Sequence, residues 1–338
     1  MKVIAITGGG TAGHVTPNLA IVPELRKRFD KIIYIGGTGI ESQLAKKCGL
    51  EFFSVDTIKF NRQSILANLK MPGVIFSGVK QACKILGSEN VSIVFSKGGY
   101  VSFPTCVAAF IKKIPVVVHE SDASIGMANK ITSLFSKATL TSFPEARFGT
   151  YVGNPIRDEI LCGNPIRARS KYNLSQKPVV LIFGGSTGAR DINAVVYEIA
   201  DRLTKKYSVI HITGNNAPVI SIKDYNMLAY ADDICDIYAI ADVVVMRGGS
   251  NSLSECAALG KKMLCIPLPK DRSRGDQIEN AASFEKRGCT RVLRQSDLTP
   301  ERLLAEIDMT FKMPNPIPVR NTAYIAIADE IEKVVNAR

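Results

Sequence analysis

The chain has 338 residues, 46% of them hydrophobic, with eight cysteines and a formal net charge of +12; one compact core rarely spans that length, so we expect two domains. No apolar run approaches the roughly 18 residues of a membrane span, the N-terminus lacks the features of a secretory signal, and no C-x-x-C pair indicates a disulfide framework or a zinc site, so we expect a cytosolic protein. The basic balance suits a polyanion or an anionic membrane surface, but Lys and Arg form no basic helix and do not alternate with aromatic residues, which argues against nucleic acid.

Short aliphatic runs alternate with amphipathic stretches through the first half of the chain. The runs predict buried strands at 2–6, 32–35, 92–95, 115–118 and 138–141. The stretches between them predict helices that include 17–28, 75–86 and 103–112. This alternation is typical of βαβ units and a parallel sheet.

The pattern then starts again. "PVVLIFGGSTGAR" (178–190) parallels the opening "KVIAITGGGTAGH" (2–14), and further strands are predicted at 207–212, 242–246 and 262–266. We place a linker near 155–170, and we predict a final amphipathic helix over 321–337 with Ile325, Ile331 and Val335 on its apolar face. The sequence thus predicts an α/β protein of two doubly wound, Rossmann-like domains, 1–156 and 157–320, with the helix 321–338 packing back on the first.

Each glycine-rich loop that leads from a strand into a helix presents backbone N–H groups and the positive end of a helix dipole, and both favour phosphate. A dinucleotide fold also needs an acidic residue at the end of its second strand, to bind the ribose. Here that strand ends in glycines, and Glu41 comes several residues later, inside the next predicted helix. This spacing argues against NAD.

A third loop, "VVVMRGGSNSLSE" (243–255), again runs from a strand into a helix. Ser250 and Ser252 can donate hydroxyls to phosphate, and the Glu255 carboxylate can accept both ribose hydroxyls or simply complement the helix N-terminus. The chain contains no Asp-x-Asp, and its three histidines lie far apart at 14, 119 and 211, so no metal site is expected. Helix N-termini together with Arg157 and Arg190 would then neutralise phosphate, although both arginines also suit a surface position.

Several stretches together resemble the MurG-type glycosyltransferases of bacterial cell-wall synthesis, in the GT-B class. They are "GGGTAGHVTP" (8–17), "KGGYVSFP" (97–104), "HESDASIGMANK" (119–130), "VGNPIR" (152–157), "GGSTGAR" (184–190), "ADVVVMRGGSNSLSE" (241–255) and "GDQIENA" (275–281), in the family's order. The resemblance implies two Rossmann-like domains facing across a cleft. It further implies transfer of N-acetylglucosamine, with inversion, from UDP-N-acetylglucosamine to the C4 hydroxyl of undecaprenyl-linked N-acetylmuramoyl-pentapeptide at the cytoplasmic face of the plasma membrane, without a cofactor.

The resemblance also implies roles for individual residues. His14 is the candidate general base, although it also suits a helix-capping role. The implied substrate contacts are Thr11, Ala12 and Gly13 for the donor sugar, Arg157 and Ser186 for the donor phosphate, Ser250, Asn251 and Ser252 for a further contact set, Glu255 for the ribose, Gln277 (flanked by Asp276 and Asn280) for the sugar hydroxyls, and backbone near Ala231 for the uracil. Three features depart from the family: Ala12 stands where many members have Gly, Asp122 stands where Asn is frequent, and the loop before Gln277 is longer, with Arg272 and Arg274. Asp122 is therefore a candidate substrate contact or second carboxylate base.

An enzyme that acts on a lipid at a membrane surface needs an apolar patch among basic residues. The stretch 57–80 has this composition, with Phe60, Ile65, Leu66, Leu69, Met71 and Phe76 among Lys59, Arg62, Lys70 and Lys80. The same apolar residues could instead bury against the sheet.

Two other functions remain open at this point. One is a different UDP-sugar enzyme of the same fold, either a UDP-N-acetylglucosamine epimerase or a glycolipid synthase acting on diacylglycerol. The other is a nucleotide-binding module without catalysis, which would not need His14. Products formed with and without the lipid acceptor would distinguish them.

Overall fold

The computed structural model describes residues 1–60, 68–185, 189–215, 217–218 and 220–337. The chain divides into two compact units, one comprising Met1–Arg157 and Thr322–Arg338 and the other Asp158–Asn321. The division falls one residue later than the predicted boundary, so Arg157 ends the first unit. Within the described part of the chain, no helix combines the length and apolar character that crossing a membrane requires.

The first unit contains a seven-stranded, wholly parallel sheet in the order β3-β2-β1-β4-β5-β6-β7. Its strands are β1 (Val3–Thr7), β2 (Lys31–Gly36), β3 (Glu51–Ser54), β4 (Ile93–Ser96), β5 (Val116–Glu120), β6 (Ala138–Thr141) and β7 (Thr150–Tyr151). Its helices up to the division are α1 (Ala12–Ala20), α2 (Val22–Leu25), α3 (Ile40–Lys47), α4 (Met71–Ser88), α5 (Phe103–Ile111) and α6 (Met127–Ser133). All five residues of β1 are buried, as expected for a central strand covered on both faces.

The second unit repeats this plan with a six-stranded parallel sheet in the order β10-β9-β8-β11-β12-β13. The strands are β8 (Val179–Phe183), β9 (Ser208–Ile212), β10 (Tyr225–Leu228), β11 (Val243–Met246), β12 (Lys262–Cys265) and β13 (Thr290–Val292). The helices are α7 (Pro165–Lys171), α8 (Arg190–Lys206), α9 (Ile234–Ile240), α10 (Ser250–Ala258), α11 (Asp276–Lys286) and α12 (Pro300–Phe311). Two parallel α/β units confirm the predicted fold class.

The order of the strands determines where ligands can bind. In each sheet the strands are added first on one side of the first strand and then on the other, so β1 lies between β2 and β4, and β8 lies between β9 and β11. Doubly wound sheets bind ligands at the carboxyl ends of the strands that flank this reversal. Thr7 pairs with Ser96, and Phe183 pairs with Met246. The loops after β1 and β4 are therefore neighbours, and so are the loops after β8 and β11.

The last helix, α13 (Ala323–Asn336), returns to the first unit. Ile327, Ala328 and Ile331 are fully buried in the same core cluster as β1 and β4, and Val335 packs against its edge. Ile325 was predicted on this face, but its side chain is 39% exposed. The buried stripe is centred on Ile327 and Ile331, one helical turn apart.

Three details differ from the sequence-based expectation. The four strands absent from the prediction are β3, β7, β10 and β13, which are the edges of the two sheets and lack a buried aliphatic run. The first helix begins at Ala12 rather than at 17. The boundary between the units lies within the predicted linker 155–170, but the end of that range is helical, because Asn164 caps α7 by accepting hydrogen bonds from Ile166 N (2.9 Å) and Arg167 N (3.1 Å).

Candidate active site

Hydrogen bonds from two buried side chains hold the start of the glycine loop after β1. The Tyr34 hydroxyl donates to the Gly8 carbonyl oxygen at 2.6 Å, and the Asn18 amide donates to the Thr7 carbonyl (3.1 Å) and to the Tyr34 hydroxyl (3.1 Å). Asn18 and Tyr34 are both fully buried. The loop therefore leaves the strand along a fixed path toward α1.

His14 lies in the first turn of α1, directly after this loop. Its Nδ1 is 3.0 Å from Oγ1 of the exposed Thr11, and its backbone N–H donates to the Thr11 carbonyl at 3.1 Å. A Cβ built on Gly99, in the loop after β4, would lie 3.6 Å from Cγ of His14, so the imidazole lies over that glycine. If Nδ1 carries the proton and donates to Thr11, Nε2 presents the lone pair that a general base needs. Ala12 and Gly13, which lie between Thr11 and His14, form the start of α1.

The Glu41 side chain holds this loop by a hydrogen bond, a role that its position in the sequence did not indicate. It is the second residue of α3, as expected, but its carboxylate is only 1% exposed and reaches back to accept from Gly37 N (3.1 Å) and Gly10 N (3.4 Å). The ring of Tyr100 covers Gly10, where an added Cβ would lie 2.5 Å from Cε1. Burial and the charge of Glu41 raise the pKa of Tyr100. The Glu41 carboxylate thus accepts from the Gly10 amide, a group that would otherwise be available to a nucleotide phosphate.

The loop after β5 is closed by a second buried carboxylate. Glu120 accepts hydrogen bonds from Asp122 N (3.1 Å), Gly126 N (2.9 Å) and the side-chain amide of Asn129 (2.8 Å). Asp122, the residue that departs from the family, is half-buried, and its backbone is fixed by this contact.

Arg157, the last residue of the first unit before the division, has a buried side-chain N–H group. Its side chain is half-buried, and its Nε is buried without a hydrogen-bond acceptor among the described residues. Because a buried N–H without a partner is unfavourable, this guanidinium is well suited to an anionic ligand.

In the second unit, the glycine loop after β8 is described up to Gly185. Ser186, the predicted phosphate contact, lies outside the described residues. In the first turn of α8, Asp191 accepts from Arg272 Nη1 (2.6 Å) and from the side-chain amide of Gln295 (2.7 Å). Arg272, one of the extra basic residues of the long loop, therefore neutralises the acid at this helix N-terminus.

The loop after β11 is held by α11. The Gly248 N–H donates to Oε1 of Gln277 at 3.2 Å, and the Gly248 carbonyl accepts from the side-chain amide of Asn280 at 3.0 Å. Oε1 of Gln277 also accepts from Leu268 N at 3.0 Å. The oxygen of Gln277 is thus bound to two backbone amides, and its amide nitrogen is the atom that can donate to a sugar oxygen.

Glu255 lies in the second turn of α10, which has no acidic residue in its first turn. The hydroxyl of the buried Tyr238 donates to Oε2 of Glu255 at 3.2 Å, and burial together with this carboxylate raises the pKa of Tyr238. A carboxylate held in place one turn beyond the helix start suits recognition of a diol better than it suits a charge at the terminus.

The remaining predicted residues of the second unit lie at the start of α10 and after β10. Ser250 is buried at the start of α10, and Asn251 and Ser252 follow it half-buried. Ala231 lies between β10 and α9 and is buried, with 9% of its surface exposed.

Sequence reasoning missed Tyr238 altogether, and it named Glu41 and Asn280 without the hydrogen bonds by which they hold these loops. Their signal was their position on helices that border a glycine loop. Among the described residues, no group of three His, Cys, Asp or Glu side chains could hold a metal ion.

Comparisons with known proteins place this geometry in a family. Residues 4–141 match the model of the glycosyltransferase family 28 N-terminal domain, and residues 179–333 match that of the C-terminal domain. Over 327 residues the chain is 41% identical to the UDP-N-acetylglucosamine–N-acetylmuramyl-(pentapeptide) pyrophosphoryl-undecaprenol N-acetylglucosamine transferase of Clostridium botulinum strain Langeland, covering 93% of this chain and 92% of that one. The protein of the same name from Clostridium perfringens strain SM101 is 41% identical over 316 residues, covering 90% and 88%.

Solved structures share the fold. The crystal structure of Acinetobacter baumannii MurG superposes with a TM-score of 0.77 at 24% identity and covers 98% of this chain and 100% of that one. The UDP-GlcNAc 2-epimerase from Neisseria meningitidis, bound to UDP-GlcNAc, gives 0.68 at 14% identity, with 98% and 100% coverage. At these identities the likeness shows the two-domain architecture and nothing about the reaction.

Proposed function

The chain belongs to glycosyltransferase family 28, and from that premise we propose that it transfers N-acetylglucosamine from UDP-N-acetylglucosamine to the C4 hydroxyl of undecaprenyl-linked N-acetylmuramoyl-pentapeptide. The observation that carries the proposal is 41% identity along 93% of the chain to relatives named for this reaction. Identity of this extent favours the transferase over the epimerase, because the epimerase shares only the fold, at 14% identity.

For the acceptor, we assign His14 as the general base. The contact between His14 Nδ1 and Thr11 Oγ1 orients the ring, so that Nε2 is the atom that takes the C4 hydroxyl proton as the oxygen attacks the anomeric carbon. Attack from the face opposite the departing UDP inverts the anomeric centre. Ala12 and Gly13 present backbone beside this ring, and Asp122 supplies a carboxylate at the same edge of the sheet.

For the donor, we assign the loop after β11 and the start of α10 to UDP-N-acetylglucosamine. Glu255 accepts hydrogen bonds from the ribose diol, and Gln277 donates its amide N–H to the sugar. Ser250, Asn251 and Ser252 contact the phosphates at a helix N-terminus without an acidic first turn, and backbone near Ala231 reads the uracil. The Arg157 guanidinium, with Ser186, neutralises the departing diphosphate, which therefore needs no protein-bound metal.

An anionic membrane surface is the third proposed partner. In the predicted patch, Phe60, Leu69 and Phe76 are 57%, 72% and 73% exposed, so these three do not bury against the sheet. Met71 is half-buried, and Arg62, Ile65 and Leu66 lie outside the described residues. The patch lysines Lys59, Lys70 and Lys80 are exposed.

The apolar surface continues onto the neighbouring helices. Helix α5 contacts both α4 and α6. Phe110 on α5 is 59% exposed, and Met127 and Leu134 at the two ends of α6 are 71% and 84% exposed. Aromatic and aliphatic side chains among lysines suit the interface of an anionic bilayer. We propose peripheral binding at the cytoplasmic face, where the lipid-linked acceptor is held.

The decisive experiment incubates the chain with labelled UDP-N-acetylglucosamine, with and without the lipid-linked muramoyl-pentapeptide, and identifies the products. Transfer only in the presence of acceptor supports the proposal. Conversion of the donor without acceptor would support the epimerase, and binding without conversion would support a nucleotide-binding module.

A vesicle experiment tests the membrane partner separately. Sedimentation with anionic vesicles should fall in the double variant Leu69→Ser, Phe76→Ser. It should not fall in Ile317→Ser, which removes an 86% exposed side chain from the second unit. Equal losses in both variants would reject the patch as the binding surface.

A further inference from the structure

A buried lysine lies beneath the two glycine loops of the first unit. Lys97 follows β4 directly and is 0% exposed. Its Nζ contacts Nδ1 of His119, Oγ of Ser121 at 2.5 Å and Oδ1 of Asn154 at 3.2 Å. All three groups are uncharged, so among the described residues no carboxylate forms an ion pair with this amine.

The hydrogen-bond chemistry of this cluster assigns the tautomer of His119. The Gly153 carbonyl can only accept, so Nε2 of His119 must carry the ring proton, and Nδ1 accepts from Lys97. Nε2 then donates to the Gly153 carbonyl at 2.9 Å. Burial and the charge of Lys97 hold the pKa of His119 well below its ordinary value, which keeps the ring neutral.

Lys97 is itself sensitive to its charged neighbours. Burial lowers the pKa of its ammonium to about 7, although the carboxylates of Glu120 and Asp122 raise it. The oxygens of Glu120 accept instead from Asn129 and from two backbone amides. The amine is therefore held by hydrogen bonds rather than by an ion pair.

The same cluster fixes the chain just before Arg157. Asn154 is held through its side chain and Gly153 through its carbonyl. Gly153 has a left-handed φ of +86°, and a Cβ there would lie 3.3 Å from Cβ of Ala323. Pro155 fixes its own φ, and Ile156 is 7% exposed. The segment from Gly153 to Arg157 is therefore short and stiff, and hydrogen bonds hold its first two residues, Gly153 and Asn154.

We propose that Lys97 is a positioning residue for the transfer reaction: through His119 and Asn154 it fixes the Gly153–Asn154 turn and so places the Arg157 guanidinium for the departing diphosphate. This rests on the proposed function, which assigns Arg157 to that charge. Lys97 touches no substrate, and its effect reaches the reaction only through the backbone that leads to Arg157.

A double-mutant cycle tests the coupling. Lys97→Met keeps the side-chain length and removes the N–H groups, and we expect it to lower kcat about tenfold. In the Arg157→Ala background the same change should cost less than about twofold, because the group it positions is gone. Lys47→Met, an exposed lysine of the same unit, is the control and should leave kcat unchanged.

Multiplicative losses in the double variant would overturn the proposal, and so would an unchanged kcat in Lys97→Met. Nitrogen NMR of histidine-labelled protein gives a second readout: wild type should show His119 protonated on Nε2 with Nδ1 accepting a hydrogen bond, and Lys97→Met should shift the Nδ1 resonance because that hydrogen bond is lost. If Lys97→Met does not fold, Asn154→Ala enters the same cycle. If the wild type transfers nothing, the proposed function fails, and the cycle measured on UDP affinity by calorimetry still decides the coupling.

Discussion

His211 should make the second unit sensitive to acid. The side chain is fully buried on β9, with Nδ1 2.7 Å from the Tyr225 hydroxyl and Nε2 3.0 Å from Oδ1 of Asn193 on α8. The Asn193 amide nitrogen donates to the Thr213 carbonyl at 2.8 Å, which leaves Oδ1 as an acceptor. Nε2 of His211 therefore donates, and Nδ1 accepts from Tyr225. A second proton on the ring would force the Tyr225 hydroxyl to accept rather than donate, and it would place a charge in the core.

Burial lowers the pKa of His211 from 6.5 to about 4. The unfolded chain therefore binds a proton at this site below about pH 6.5, whereas the folded chain binds it only near pH 4. The free energy of unfolding therefore decreases as the pH falls from 6.5 to about 4. The difference corresponds to about 3 kcal/mol of unfolding free energy by pH 4. Above pH 6.5 the two states bind the same number of protons at this site, and the contribution is constant.

The assay is urea unfolding at a series of pH values between 7.5 and 4, for wild type and His211→Gln. Glutamine can accept from Tyr225 and donate to Asn193 without titrating. Its curve should therefore be flatter than that of wild type by about 3 kcal/mol across the window, whereas His119 and the carboxylates contribute equally to both proteins. Parallel curves for the two proteins would refute the assignment of a buried neutral imidazole at this position.

Three further predictions concern catalysis. His14→Ala should lower kcat by roughly 10²–10⁴-fold with UDP affinity nearly unchanged, and normal turnover would remove the base assignment. Glu255→Gln should weaken UDP binding, measured by calorimetry, and should abolish the preference for ribose over 2′-deoxyribose donors; an intact preference would leave Glu255 a purely structural residue. Chelation with EDTA should leave most of the activity, whereas Arg157→Ala should cost at least about tenfold; activity lost on chelation and restored by Mg²⁺ would show that a cation holds the diphosphate.

The central strands could be predicted from the sequence because burial on both faces demands aliphatic residues. Val3–Thr7 and Val243–Met246 are continuous runs of this kind, and both were located within a residue or two. Thr150–Tyr151 could not be found in this way, since both residues are exposed and only the neighbouring strand gives them their conformation. Edge strands are determined by pairing, which a local pattern does not contain.

The candidate site shows the same limit. The glycine loops and the residues within them, such as His14 and Ser250, stand out in the sequence because their spacing is local. Glu41 does not, because its role depends on a side chain that reaches back from α3 to Gly10, 31 residues away. The burial of Lys97 could not be predicted either, because a lysine before two glycines is typical of a surface loop, whereas here the fold buries it completely.

The two glycine loops start from the same topology and differ in the charge that the protein places beside them. In the first unit the Glu41 carboxylate binds Gly10 N, so an anionic phosphate would meet a negative charge at that amide. In the second unit the first turn of α10 carries no acid, and the acid of α8, Asp191, is paired with Arg272. We therefore expect the N-terminus of α10 to bind a diphosphate more favourably than the Gly10 amide, which already donates to Glu41. This difference in charge supports the proposal that the nucleotide binds in the second unit, whereas the first loop carries His14 for a neutral sugar hydroxyl.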